Sequence, residues 1–146
     1  MPETARYDQD IVAWAIEQAR LLRAGHFDEL DIEHIAEEIE DVGKSEQREF
    51  AGRMAALLAH LIQWRYQPEQ RGATLDIIIR TRRTGIARRL RLTPSLAAML
   101  TEPDWQDEIW GDAVVAAIAL ADIDNLPETC PWPMGRIIDI DWLPSS

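Results

Sequence analysis

The sequence predicts an all-α protein, a single compact helical bundle of about five to seven helices with one long central helix. Two observations favour this class. Apolar residues recur at helical spacing between positions occupied by glycine and proline, and no pair of segments alternates as neighbouring strands do. The chain has 146 residues, 47% of them apolar, which suffices for a full core. We therefore expect one domain over residues 1–146, with an irregular tail from about residue 125.

The first helix is expected from about Asp8 to Ala24, where apolar side chains form one stripe. Gly25 follows it and is suited to end it in the left-handed conformation. Asp31 is expected to cap the second helix, with Asp28 as the alternative start.

The second helix is expected to be long, from Ile32 to about Arg65. One apolar register continues across Gly43, although Gly43 could instead end the helix and Ser45 cap a new one. Pro68 stops it. The predicted buried face of its first half is formed by Ile32, Ile35, Ala36, Ile39 and Val42.

Two further long helices are expected, from about Thr74 to Arg91 and from about Trp105 to Ile123. The predicted inward residues of the first are Leu75, Ile78, Ile79, Ile86 and Leu90. Those of the second are Trp105, Ile109, Ala113, Ala116, Ala117 and Leu120. The β-branched run Ile77–Ile79 could form a strand, but no partner strand is visible, so helix is favoured.

Shorter elements complete the prediction. Thr93 and Pro94 form a cap and first-turn proline that open a short helix ending near Leu100. Three prolines make residues 125–133 irregular. A last short helix is plausible near Met134–Ile140, and Trp132 and Trp142 are expected to clamp the tail onto the bundle.

Charge is distributed unevenly in a chain of net charge −11. Residues 71–91 hold seven arginines against the single acid Asp76, a charge near +6. Residues 28–49 hold ten acids against Lys44 and Arg48, a charge near −8. Opposite fields on two helices of a small domain favour neighbouring positions.

The composition also restricts the function. The net charge of −11 argues against binding to nucleic acid or to anionic lipid. The uncharged apolar runs are shorter than the roughly 20 residues that cross a bilayer. Met1–Arg6 lacks signal-peptide features, and the single cysteine, Cys130, fits a reducing compartment, so a cytoplasmic location is expected. Arginine outnumbers lysine fourteen to one, which suggests a GC-rich bacterial genome.

Several motifs resemble the bacterial family called "domain of unknown function 29". They are Tyr7-Asp8-Gln9-Asp10 with Trp14-Ala15, Leu21-Leu22-Arg23-Ala24-Gly25, Phe27-Asp28-Glu29-Leu30-Asp31, Ile35 to Gly43 with Ser45-Glu46, Leu57 to Trp64, Tyr66-Gln67-Pro68 and Cys130-Pro131-Trp132. The resemblance covers nearly the whole chain. It implies an α-helical protein found in cyanobacteria and proteobacteria, without an assigned activity or catalytic residues.

The strongest candidate site lies on the long helix. Glu46, Arg53 and His60 are seven residues apart and share the stripe that elsewhere carries leucine and isoleucine. Polar groups on such a stripe need partners, such as Glu49 for Arg53, or Arg82 and its neighbours Arg80 and Arg83 for Glu46. The stripe is interpreted as an ion network that sets helix register. The alternative is a binding or catalytic pocket using Glu46, Glu49, Arg53, His60 and Arg82.

Other constellations are weaker. Asp31 and His34, with Glu37 or Glu38 one turn later, resemble half of a di-iron helix pair, but a second pair is lacking and a solvated helix face is the simpler interpretation. The arginines Arg80, Arg83 and Arg88 could bind phosphate or nucleic acid. Cys130 has no evident activator and is expected to pack as a small side chain.

The sequence therefore predicts a non-enzymatic interaction or accessory module, with no cofactor and no metal. Its partner is an unidentified protein, its oligomeric state is open, and membrane or nucleic-acid partners are not expected. A small enzyme or ligand-binding protein built on the polar stripe is the first alternative. Phosphate or nucleic-acid binding through the helix of residues 71–91 is the second.

Overall fold

The computed structural model describes residues 6–145 and confirms the all-α class, since those residues contain helices and no strand. The α-helices are α1 Ile11–Ala24, α2 Ile32–Tyr66, α3 Ala73–Leu92, α4 Pro103–Ala121 and α5 Met134–Ile137. Short 3-10 helices span Phe27–Glu29, Pro68–Gln70 and Pro94–Thr101. The expected lack of signal-peptide features concerns Met1–Arg6, and of these residues Arg6 alone lies within the described range.

The chain divides into two compact units, Met1–Glu46 and Gln47–Ser146. The boundary falls inside α2, so each unit contains part of that helix. The single-domain organisation stays a prediction, and the units are described separately.

Helix α1 of the first unit begins and ends at capping residues. Its N-terminus lies at Ile11 rather than Asp8, because the Asp10 carboxylate accepts a hydrogen bond from the Ala13 amide at 3.1 Å and so acts as the cap. Its C-terminus lies at Ala24, and Gly25 has φ 76°, which confirms the predicted left-handed ending.

Helix α2 starts at Ile32 after Asp31, whose side chain accepts from the His34 amide at 3.4 Å. It continues through Gly43 to Tyr66, which confirms the long helix. Pro68 follows its end, and the Arg71 Nε donates to the Trp64 carbonyl at 2.6 Å. A cation at this position satisfies a carbonyl that lacks a partner within the helix.

The predicted buried face of the first half of α2 is wrong. Ile32, Ile39 and Val42 are 67–68% exposed, Ala36 is exposed and Ile35 is only half-buried. The half-buried side is an adjacent face that carries Ile35 together with polar residues, and two of its carboxylates accept hydrogen bonds from the segment that contains α1. Glu38 accepts from Tyr7, and Asp31 accepts from the Trp14 indole. The face of α2 that turns inward here thus combines hydrogen bonds with partial apolar burial.

The second unit contains a continuous apolar core. The rest of α2 supplies Phe50 and Met54, which are almost fully buried, and Phe50 stacks on Trp105 of α4 with ring centroids 5.7 Å apart. Further core residues come from all the helices of this unit: Leu57, Leu58, Leu61, Ile62, Leu75, Ile79, Ile86, Leu96, Ile109, Trp110, Ala113, Ala117 and Ile137. The burial of these apolar side chains stabilises the packing of the helices against one another.

Three local predictions in the second unit need correction. Leu120 is 70% exposed, because the buried row of α4 runs through Ala113, Ala117 and Ala121 at steps of four and leaves Leu120 beside it. Thr93 makes no side-chain capping hydrogen bond, and the segment after it is a 3-10 helix. Helix α5 ends at Ile137, three residues earlier than predicted.

The predicted tryptophan clamp is confirmed. Trp132 packs edge-on against Trp110 of α4, with ring centroids 5.9 Å apart, and Trp142 packs on Trp132 at 5.8 Å. The Trp110 Nε1 also donates to the Pro127 carbonyl at 2.9 Å. These contacts fix the irregular tail of the second unit on its helices.

Candidate functional site

The polar stripe predicted on α2 is divided between the two units. Glu46 belongs to the first unit, and Glu49, Arg53 and His60 belong to the second. Within the second unit, Arg53 Nη2 donates to Glu49 Oε1 at 3.2 Å, as the i,i+4 spacing predicts. Arg89 of α3 donates to the same Glu49 oxygen. One carboxylate therefore holds two guanidinium groups from two helices.

These side chains border a pocket of about 450 Å³, which is lined by Arg53, Gly85, Arg88, Arg89 and Leu92. The α3 members have the spacing i, i+3, i+4 and i+7, so they share one helix face. The Nε of Arg53 is shielded from solvent and makes no hydrogen bond within the described residues. The pocket combines three guanidinium groups with one carboxylate at its edge, which is a chemistry suited to anions.

His60 and Arg82 do not line this pocket. His60 is half-buried, and its Nδ1 has no hydrogen-bond partner among the described residues. Burial, and secondly the positive charge of Arg82, lower the pKa of His60 below its ordinary value of 6.5. The structure therefore places Glu49 and Arg53 with Arg88 and Arg89, whereas His60 lies near Arg82, at a different point along α3.

The other arginines of α3 have different partners. The Arg80 Nε donates to Asp76 at 3.0 Å on the same helix. Arg83 is 2% exposed, and its Nε donates to the Ile137 carbonyl at 2.8 Å, where burial lowers its pKa. Of the three arginines predicted to bind phosphate (Arg80, Arg83 and Arg88), Arg88 alone lines the pocket. The prediction for Arg83 is wrong, because that side chain is buried against α5.

Sequence reasoning missed Gly85, Arg89 and Leu92 as pocket residues. Their spacing with Arg88 marks one face of α3, a signal present in the sequence. The sequence does not reveal that this face of α3 is turned toward Arg53. An added Cβ at Gly85 would lie 3.5 Å from Arg53 Nη1, which shows how closely the two helices approach here.

The first unit carries a second concave surface, an open groove of about 240 Å³ between α1 and α2. We name it the α1/α2 groove; it is lined by Trp14, Ala15, Gln18, Ala19, Leu22, Ile35, Glu38, Ile39 and Val42. Nearly all of its lining is apolar. Gln18 is 3% exposed, and its Nε2 has no hydrogen-bond partner among the described residues.

The Asp31 and His34 pair lies at one end of α2. His34 Nδ1 donates to Asp31 at 2.7 Å, and its ring stacks on Tyr7 with centroids 4.2 Å apart. Tyr7 thus covers one face of the His34 ring, while 40% of the His34 side-chain surface stays exposed. In residues 6–145 no group of three or more histidine, cysteine or acidic side chains is arranged to hold a metal ion.

Cys130 is half-buried in the tail of the second unit. Its thiol donates to the Trp132 carbonyl at 3.4 Å, and burial raises the pKa of the thiol. A thiol with a raised pKa is a weak nucleophile at neutral pH.

Comparisons with known proteins agree with the motifs. Residues 6–143 match the family described as "Domain of unknown function DUF29". A crystal structure of an α-helical protein of unknown function from Rhodospirillum rubrum, solved at 1.45 Å resolution, is 30% identical. That alignment covers 96% of this chain and 93% of the other chain, with a TM-score of 0.49. No curated protein matches.

A bilayer-crossing helix needs about 20 largely apolar residues. None of the helices formed by residues 6–145 combines that length with that apolarity. The family match extends over almost the whole chain and contains both surfaces described above. The chain therefore belongs to the DUF29 family, whose domain has no assigned function.

Proposed function

We propose that this protein is a bacterial, cytoplasmic, non-enzymatic interaction module that binds the apolar side of a basic amphipathic helix from another protein. The observation that carries the proposal is the exposed apolar surface of the first unit. Ile39 and Val42 line the α1/α2 groove, yet they are 67% and 68% exposed. Exposed apolar surface of this kind marks protein-binding sites.

The shape of the surface favours a helix as the ligand. Two helices form the walls of an open apolar groove, and amphipathic helices bind such grooves through residues spaced by three and four positions. Val12 and Ile16 of α1, 66% and 68% exposed, provide further apolar surface in the same unit.

The charge of the first unit favours a basic ligand. Residues 1–46 hold thirteen acids and four basic residues, a net charge of −9, whereas the whole chain carries −11. Glu38 lines the groove, and Glu37, Glu40 and Asp41 are exposed on the same stretch of α2. Two such units would repel each other, so a cationic helix of another protein is favoured over a second copy of this chain.

Composition supports the cellular setting of the proposal. The single cysteine, Cys130, is unpaired, as is usual in a reducing cytoplasm. The excess of arginine over lysine, fourteen to one, fits a GC-rich bacterial genome. The non-enzymatic role is supported by the state of the candidate acid/base groups: the lowered pKa of His60 leaves it neutral at pH 7, and Glu49 is engaged with two arginines.

Two designed peptides test the proposal by titration calorimetry with the full chain. One is an amphipathic helix of leucine and lysine, and the other has the same leucine positions with glutamate replacing lysine. We expect the basic peptide to bind with 1:1 stoichiometry and the acidic peptide not to bind. Ile39→Glu should abolish this binding, because it places a charge on the apolar contact surface.

Ile77→Glu is the matched control, since Ile77 of α3 is 61% exposed and lies in the other unit. It adds the same charge and should leave peptide binding unchanged. If both variants, or neither, weaken binding, the groove is not the binding surface and the proposal is wrong.

A further inference from the structure

We propose a second binding site, in the other unit: the pocket lined by Arg53, Arg88 and Arg89 binds the phosphate group of a small molecule. This site does not depend on the α1/α2 groove, because all of its residues belong to residues 47–146. It goes beyond protein binding and assigns a chemical class of ligand to the arginine-rich helix.

The side chains around the pocket carry a net positive charge. Arg53, Arg88 and Arg89 line the pocket, and the Glu49 carboxylate contacts two of them, so these four side chains together carry +2. A phosphate dianion balances that charge. Planar guanidinium forks donate paired hydrogen bonds to phosphate oxygens, which makes arginine well suited to this ligand.

Arg53 and Arg88 provide hydrogen-bond donors at the pocket. The Arg53 Nε is shielded from solvent without a hydrogen-bond partner, which is a costly state for a cationic donor. Arg88 is exposed at the end of α3 and lines the same pocket. The Nε itself is out of reach of a ligand, but the Arg53 side chain is 39% exposed, so a phosphate in the pocket would bind the accessible part of its guanidinium group together with that of Arg88.

The walls of the pocket allow a ligand larger than an inorganic ion. Its volume of about 450 Å³ lies in the range of small-molecule sites, roughly 300–1,000 Å³. Gly85 has no side chain to fill this wall, and Leu92 offers an apolar surface that is 67% exposed. The phosphate would contact the arginines, and an organic substituent would contact Leu92.

Glu49 makes the site distinctive, because its carboxylate is an anion of the protein itself that already accepts hydrogen bonds from Arg53 and Arg89. A phosphate must share those guanidinium groups with the carboxylate. Glu49→Gln removes the competing charge and should therefore tighten phosphate binding, although the same substitution removes two ion pairs. A purely structural arginine cluster would show no such gain.

The test is a calorimetric titration of the full chain with inorganic phosphate and, separately, with phenyl phosphate. We expect Arg88→Ala to weaken binding about tenfold, the loss of one charge-assisted contact. Arg91→Ala is the matched control: it removes the same charge from the last turn of α3, but Arg91 does not line the pocket. It should change the affinity less than about twofold. Circular dichroism checks that each variant keeps its helices.

The two probes also separate the possible ligands. Tighter binding of phenyl phosphate that is lost in Leu92→Ala indicates an organic phosphate, and equal binding indicates inorganic phosphate. The proposal is overturned if neither probe saturates at millimolar concentration, or if Arg88→Ala and Arg91→Ala weaken binding equally. Salt-steep binding of a single-stranded oligonucleotide that phosphate does not displace would also overturn it.

Discussion

Asp31 makes several side-chain and backbone hydrogen bonds in the first unit. Its carboxylate accepts from the Trp14 indole at 2.9 Å and from the His34 ring at 2.7 Å, and its amide donates to Gln18 at 2.8 Å. Asp31, which the sequence predicts as a helix cap and pairs with His34, thus also joins α1 to α2. Its hydrogen bond to His34 is the first cause of the lowered pKa of Asp31 and of the raised pKa of His34.

The pair predicts a defined pH dependence of stability. The pKa of His34 is raised above 6.5, so its contribution is complete below that value and is lost as the pH rises through the folded-state pKa. The pKa of Asp31 is lowered below 3.8, so its contribution is complete above that value and is lost as the pH falls through the folded-state pKa. We expect His34→Gln to destabilise the protein most between pH 3.8 and 6.5 and least at alkaline pH.

Chemical denaturation of wild type and His34→Gln at several pH values measures this difference. An NMR titration of the His34 ring provides the direct check, and Asp31→Asn should lower the pKa of His34. His26 serves as the internal control, because Asp31→Asn removes no partner from it: its Nδ1 hydrogen-bonds Glu29. A stability difference that stays constant with pH would show that packing on Tyr7, and not charge, makes His34 important.

At the scale of the elements, the helices could be predicted because their limits are local. Gly25, Asp31 and Pro68 act through their own backbone or side chains, and the apolar register across Gly43 is a property of one segment. The side of a helix that becomes buried depends on another segment. The apolar stripe at Ile32 and Ile39 predicts burial, but both residues are exposed, because no described segment packs over them.

Gly43 provides the element-scale prediction. It lies inside α2, no atom lies within 4 Å of a Cβ added there, and its backbone is helical. Gly43→Ala should therefore raise the free energy of unfolding by about 1 kcal/mol, the difference in helix propensity. Urea denaturation followed by circular dichroism measures the change.

Gly25→Ala is the matched control, because Gly25 also has open space around it but has φ +76°. Alanine is strained in that conformation, so this variant should be destabilised by about 1 kcal/mol. A loss of stability in Gly43→Ala would show that α2 needs a flexible position at its centre.

At the scale of the whole molecule, charge is divided between the units. Residues 1–46 carry −9, and residues 47–146, with thirteen acids and eleven basic residues, carry −2. Within the second unit, the contact of Glu49 with Arg89 agrees with the expected pairing of acidic and arginine-rich helices. The pairing of α3 with the acids of residues 28–46 stays a prediction. The pocket itself could not be predicted, because it depends on how α2 and α3 are rotated about their axes.

The same division of charge predicts how the molecule associates. At pH 7.5 the repulsion between two first units of charge −9 should keep the chain monomeric despite its exposed apolar groove. Near the isoelectric point of the chain, about 4.6, that repulsion is much reduced, and apolar contact through Ile39 and Val42 should produce dimers or larger species. Sedimentation velocity at pH 7.5 and at a pH just above the isoelectric point measures the change.

Ile39→Glu should suppress this association at the lower pH, whereas Ile77→Glu, with the same change in charge on α3, should not. A dimer already present at pH 7.5 that Ile39→Glu dissolves would contradict the argument from charge. The groove would then bind a second copy of the chain, because apolar contact would have overcome the repulsion. A monomer at both pH values would instead mean that the apolar surface is too small to hold two chains together without complementary charge, which is the property that a basic helical partner supplies.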